Sequence, residues 1–80
     1  MDKSFLAEST FNKMEIVEFL VNTNNGFASS CFLNDISEDR PSHTRVARWF
    51  KNYFPANTSQ YMFRLAEAHC VQTSEMVELS

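Results

Sequence analysis

The fold is decided by residues 41–55, which read PSHTRVARWFKNYFP. Pro41 favours extended backbone in the residue before it, and Ser42 is of a type that caps the first turn of a helix. Pro55 cannot continue a helix, so we expect a helix over residues 43–54. Its apolar side chains recur at steps of three and four residues, which predicts one buried face. The members of that face are Val46, Trp49, Phe50 and either Tyr53 or Phe54.

A second helix is expected after Pro55, over residues 59–71. Asn57, Thr58 or Ser59 can supply its N-terminal cap. The link from Tyr53 to Thr58 is then long for a tight turn between helices. One face of this helix carries Tyr61, Met62, Leu65, Ala66, His69 and Cys70.

Upstream, the segment from Phe11 to Val21 has a helical period, with Ser9 or Thr10 as its cap. Residues 22–26, NTNNG, are of types that close a helix. Asn25-Gly26 is also a strong two-residue turn signal, so a β-hairpin that pairs residues 27–33 with residues 16–21 is the alternative. The period of residues 27–36 does not decide between helix and strand. The apolar face of the first segment is predicted to hold Phe11, Met14, Val17, Leu20 and Val21.

Together these segments predict a mainly α fold, a single small globular domain over residues 1–80 built as a bundle of three to four short helices. The alternative is an α+β fold in which an N-terminal hairpin about Asn25-Gly26 packs on two C-terminal helices. A single Gly and two Pro in the chain favour helices over a turn-rich β fold, and eight Phe favour a real core. We expect residues 1–8 to be frayed.

Charge is segregated along the chain although the net charge is only −3. The stretch from Arg40 to Ala66 has five Lys and Arg and no Asp or Glu, whereas residues 1–39 have two basic and seven acidic residues. A basic strip interleaved with aromatic rings is typical of a binding surface. The alternative is that the rings form the core of two packed helices and the basic residues pair with the acidic first helix. The predicted partner-binding residues are Arg40, Arg45, Arg48, Trp49, Lys51, Tyr53, Gln60, Tyr61 and Arg64.

Catalytic and cofactor chemistry find no support in the sequence. Gly26 as the sole glycine rules out a glycine-rich phosphate loop and a dinucleotide fingerprint. His43 and His69 have no recognisable spacing to a nucleophile or second ligand, and Cys31 and Cys70 have no zinc-type spacing. We therefore expect no catalytic residues, no metal site and no cofactor, and two reduced thiols.

The functional hypothesis is a small non-catalytic protein that docks on a larger protein or complex through the strip at Arg40–Arg64, as adaptors, inhibitors and phage or mobile-element regulators do. The alternative is a DNA-binding helix-turn-helix-like regulator that presents Gln60 and Arg64 to a major groove. We expect a monomer or homodimer in the cytoplasm with no membrane partner, since the sequence has neither a signal peptide nor a long apolar run.

Overall fold

The computed structural model describes residues 9–72 and is mainly helical. The mainly α prediction is confirmed, and the alternative hairpin is wrong because residues 27–33 lie in a helix. A short β-ribbon, which the sequence did not predict, joins the two ends of the described chain. The elements in chain order are β1 (Thr10–Phe11), α1 (Lys13–Asn22), α2 (Gly26–Asp35), α3 (His43–Tyr53), α4 (Ala56–Cys70) and β2 (Val71–Gln72). The expected fraying of residues 1–8 lies outside the described residues.

The first helix, α1, begins two residues later than its sequence pattern indicated. Its cap is Asn12, whose side-chain oxygen accepts from the backbone N–H of Met14 at 3.0 Å and of Glu15 at 3.3 Å. Ser9 and Thr10 are therefore not the cap. Phe11 is not helical, because it pairs in β1 with Val71 and donates its backbone N–H to the carbonyl of Pro41.

The buried face of α1 differs from the predicted one. Ile16, Phe19 and Leu20 enter the core, whereas Met14 and Val21 are about half exposed. The prediction is right at Phe11 and Leu20, which are fully buried, and at Val17, which packs against the core. It is wrong at Met14 and Val21, and it missed Ile16 and Phe19.

A tight helix–helix turn connects α1 to α2. Asn24 adopts a left-handed conformation with φ of 66°, and the N–H of Asn25 bonds to the carbonyl of Leu20 at 2.8 Å. The predicted closing role of residues 22–26 is thus confirmed, with Asn24 in the left-handed position. The hydroxyl of Ser29 donates to the carbonyl of Val17 at 3.1 Å, which fastens α2 to α1.

The helix α3 matches its prediction closely. The hydroxyl of Ser42 accepts from the N–H of Arg45 at 3.0 Å, and the helix ends at Tyr53 with Phe54 as its cap residue. Val46, Trp49 and Phe50 are buried as predicted. The next helix, α4, begins at Ala56 and not at residue 59. The carbonyl of Pro55 accepts from the N–H groups of residues 58 and 59, so the connection between α3 and α4 has only two residues.

Aromatic rings join the four helices around one core. The ring of Phe32 on α2 meets Trp49 edge-on at 4.9 Å, and Phe50 meets Phe63 of α4 at 5.6 Å. On α1, Phe19 stacks on His69 of α4 at 5.9 Å, and Phe11 of β1 lies 5.9 Å from Phe63. All four helices contribute buried side chains to the core, so a binding surface formed by these helices must lie on their outward faces.

Candidate functional site

The predicted partner-binding residues separate into buried and exposed groups. Trp49 is only 7% exposed, and its indole N–H donates to the carboxylate of Asp35 at 2.9 Å. Tyr53 is half-buried and stacks on Trp49, with ring centroids 4.7 Å apart and planes 6° apart. The aromatic part of the strip at α3 therefore belongs to the core and to the α2–α3 contact.

Two of the predicted arginines lie away from the outer surface of α3 and α4. Arg45 bonds to the backbone carbonyl of Asp35 at 3.4 Å and pairs with the Glu38 carboxylate at 3.6 Å. Arg40 is exposed in the loop before α3. The structure thus directs Arg45 toward α2 and its following loop.

The remaining predicted residues come together on one surface. Lys51 and Gln60 line an open hollow of about 610 Å³ between α3 and α4, in which Phe63 is the aromatic wall. A second hollow beside it shares Gln60 and is bordered by Tyr61 and Arg64. We call this surface the cationic face; its members are Arg48, Lys51, Asn57, Gln60, Tyr61 and Arg64, all of which are exposed.

The geometry of α4 makes its half of the cationic face a continuous stripe. Asn57, Gln60, Tyr61 and Arg64 are spaced at i, i+3, i+4 and i+7, the positions that share one side of a helix. Arg48 lies one turn before Lys51 on α3. Asn57 was not among the predicted contact residues, although the same spacing rule could have identified it.

The cationic face has positive charges that the rest of the described chain does not neutralise. Residues 9–72 carry six Lys and Arg and six Asp and Glu, so their formal charges cancel. Yet within this range Arg48, Lys51 and Arg64 form no ion pair. The one acidic residue of α3 and α4, Glu67, is bound to His43 at 2.9 Å. The expectation that these three cations pair with the first helix is therefore wrong.

His43 occupies a junction that sequence spacing did not reveal. Its Nδ1 lies 3.0 Å from the hydroxyl of Ser9 and its Nε2 lies 2.9 Å from the carboxylate of Glu67. The N–H of His43 also donates to the carbonyl of Ser9 at 3.0 Å. Its ring packs against Phe11 and Phe63. These contacts fasten the chain before β1 to both α3 and α4.

Cys70 is held in a form unsuited to nucleophilic chemistry. Burial, and then the nearby carboxylates of Glu15 and Glu18, raise the pKa of the Cys70 thiol to about 11. The thiol contacts the carbonyl of Glu15 at 3.6 Å. Since the thiolate is the reactive species, Cys70 is inert near neutral pH. Cys31 and Cys70 are both free.

Within the described part of the chain, no three His, Cys, Asp or Glu side chains converge as a metal site would require. Among the same residues, no helix combines the length and apolar character needed to cross a bilayer. Comparisons with protein-family models, curated proteins and solved structures found no match.

Proposed function

We propose that this protein is a non-catalytic binding protein that contacts nucleic acid through the cationic face, in the cytoplasm, where free thiols stay reduced. One observation supports the proposal above all. Arg48, Lys51 and Arg64 are exposed and form no ion pair within residues 9–72. They share the outer surface of α3 and α4 with the exposed side-chain amides of Asn57 and Gln60. Phosphate contacts supply most of the affinity of such proteins, and amide and guanidinium groups read base edges.

The polarity of the face favours nucleic acid over a protein partner. Protein interfaces have an apolar core, usually anchored by buried aromatic side chains, whereas protein–DNA interfaces are more polar and more positive. Of the rings predicted to anchor a protein, Trp49 is in the core and Tyr53 packs on it. Tyr61, which is 63% exposed, is the large aromatic anchor that the cationic face retains.

Each element of the face has a distinct expected role. Arg48 and Lys51 on α3 are suited to phosphate contacts, which fix register without reading sequence. Gln60 and Arg64 on α4 have the groups that pair with adenine and guanine edges in a major groove. We therefore expect α4 to be the helix that enters the groove.

Docking on a larger protein is the second candidate function, and two residues of α4 favour it. Tyr61 and Arg64 are neighbours one turn apart, both exposed, and these residue types are enriched among the strongest contributors to protein interfaces. This candidate predicts that the partner covers Tyr61 and that binding depends on its ring more than on Arg48 or Lys51.

The test is a fluorescence anisotropy titration of the full chain against a labelled random DNA duplex at about 50 and about 200 mM salt. The two phosphate contacts of Arg48 and Lys51 predict an affinity loss of about 12-fold between these salts, because each contact releases close to one counterion. Arg64→Glu should abolish binding at the higher salt. Lys13→Glu is the matched control, since it makes the same charge change on α1.

Lack of binding at the lower salt would contradict the nucleic-acid proposal, as would equal losses in Arg64→Glu and Lys13→Glu. In the first case, affinity capture of a protein by the wild type but not by Tyr61→Ser would establish the docking function. Binding that is insensitive to salt would also contradict the proposal, because phosphate contacts require a salt dependence.

A further inference from the structure

The helices α1 and α2 carry an apolar surface that neither the core nor the cationic face uses. Phe27 is 76% exposed, Met14 56%, Val21 53% and Leu33 43%. In the described chain, four of the five exposed large hydrophobic residues thus lie on these two helices. We call these four side chains the outer face.

The outer face extends along both helices of the α1–α2 pair. Met14 and Val21 are seven residues apart, two turns along one side of α1. Val21 and Phe27 flank the turn that ends one helix and begins the next. Leu33 lies one turn beyond Ser29, the residue whose hydroxyl bonds to Val17 of α1. Each helix therefore has one exposed apolar side chain near the turn and one near its far end.

We propose that a second copy of this chain covers the outer face, so that the protein forms a two-fold symmetric dimer through α1 and α2. A two-fold interface must be self-complementary, because each patch meets itself reversed. The stripe on α1 meets this requirement, because turning a copy end to end sets Val21 against Met14. Phe27 and Leu33 are six residues apart, so they lie on different sides of α2 and flank this contact.

The exposed area agrees with what a dimer needs. A buried Phe side chain removes about 150–250 Å² from water, so Phe27 alone offers more than about 100 Å². With the other three side chains the apolar area reaches several hundred Å². A homodimer interface buries about 800 Å² per partner, of which about 65% is apolar.

Glu18 gives the proposed interface a specific electrostatic signature. It is exposed and lies between Met14 and Val21 along α1, four residues after one and three before the other. A two-fold axis through the middle of this stripe brings the Glu18 carboxylates of both copies toward each other. Their repulsion weakens the dimer, and salt screens that repulsion. Dimerisation should therefore strengthen with salt, whereas DNA binding should weaken.

The experiment is sedimentation equilibrium of the full chain from about 5 to about 300 µM protein, which covers weak association. We expect the mass to rise from 9.3 kDa toward twice that value. Phe27→Ser and, independently, Met14→Ser should stay monomeric with an unchanged circular dichroism spectrum. Tyr61→Ser, which removes an equally exposed ring from the other surface, should dimerise as the wild type does. Glu18→Gln should tighten the dimer several-fold at low salt and much less at high salt.

A monomer at every concentration would overturn the proposal and leave the outer face to a different protein. A dimer that persists in both Phe27→Ser and Met14→Ser would also overturn it, because the contact would then lie elsewhere. These outcomes are independent of the DNA titration, so failure of the nucleic-acid proposal and failure of this one can be told apart.

Discussion

The α1–α2 pair and the α3–α4 pair share one core but present opposite outer surfaces. On α1 and α2 the exposed side chains include Phe27, Met14 and the acidic Glu18. On α3 and α4 they include Arg48, Lys51 and Arg64, with Tyr61 as the large exposed aromatic ring. The core requires neither arrangement, since exposed side chains contribute little to the free energy of unfolding. The two proposals, nucleic acid on α3 and α4 and a second copy on α1 and α2, both rest on this difference.

The largest effect on the free energy of unfolding should come from removing a buried ring of α2, whereas removing an exposed ring of the same helix should have little effect. Phe32→Ala removes a fully buried ring that contacts Trp49 and should cost about 3–5 kcal/mol of unfolding free energy. Phe27→Ala removes an exposed ring from the same helix and should change the unfolding free energy by less than about 0.5 kcal/mol. Urea unfolding at a concentration where the protein is monomeric measures both. Similar losses in the two variants would place Phe27 in the core and break the comparison.

The next largest effect should come from the hydrogen bond between Asp35 and Trp49, which joins the α1–α2 pair to the α3–α4 pair. Asp35→Ala leaves the buried indole N–H of Trp49 without its acceptor and should cost about 1–3 kcal/mol. Asp39→Ala is the control, because it removes a nearby exposed carboxylate from the loop before α3. Urea unfolding followed by Trp49 fluorescence reports both variants. If Asp39→Ala lowers the free energy of unfolding as much as Asp35→Ala does, the loss comes from removing a negative charge and not from breaking this hydrogen bond.

How far the sequence predicted these features depends on whether the signal was local. The Ser42 cap, the buried face of α3 and its end before Pro55 were all predicted, because each follows from neighbouring residues. The buried face of α1 was predicted only in part, because several apolar residues had helical spacing and packing against other helices decided which of them were buried. The hydrogen bond between Trp49 and Asp35, fourteen residues earlier, was not predicted, because no local pattern encodes that pairing.

The placement of the proposed site residues on the surface could be predicted in part for the same reason. Gln60, Tyr61 and Arg64 follow a helical stripe that is readable from spacing, and they are exposed together. Arg45 looked equivalent to Arg48 in the sequence, but it faces α2 and pairs with Glu38. The junction of Ser9, His43 and Glu67 could not be predicted, since the fold alone brings these three residues together.

The caps of the helices should give a smaller and graded effect. Ser42→Ala on α3 and Asn12→Ala on α1 each remove a side-chain acceptor from first-turn N–H groups and should cost about 1 kcal/mol. Asn25 precedes α2 but makes no such bond to that helix, so Asn25→Ala should cost less than the other two. Thermal unfolding of the three variants measures the series. An equal loss for Asn25→Ala would mean that its bonds to Thr23 matter as much as a cap.

The smallest effect on the free energy of unfolding should appear at alkaline pH and should come from the Cys70 thiol. The raised pKa of Cys70 means that the unfolded chain loses this proton first, so stability is full below about pH 9 and falls as pH rises toward about 11. The expected loss is about 1 kcal/mol by pH 10. Cys70→Ala should lack this loss, which urea unfolding at pH 8 and pH 10 measures. The same alkaline decline in both proteins would assign it to other groups.

The most direct test of the central claim is a nitrogen-15 NMR titration of the full chain with duplex DNA at low salt. The cationic-face assignment predicts that shift changes concentrate at residues 48–64 of α3 and α4. Residues 14–33 of α1 and α2 should change little at constant protein concentration. Changes centred on α1 and α2, or no changes at all, would contradict the assignment of the nucleic-acid surface to α3 and α4.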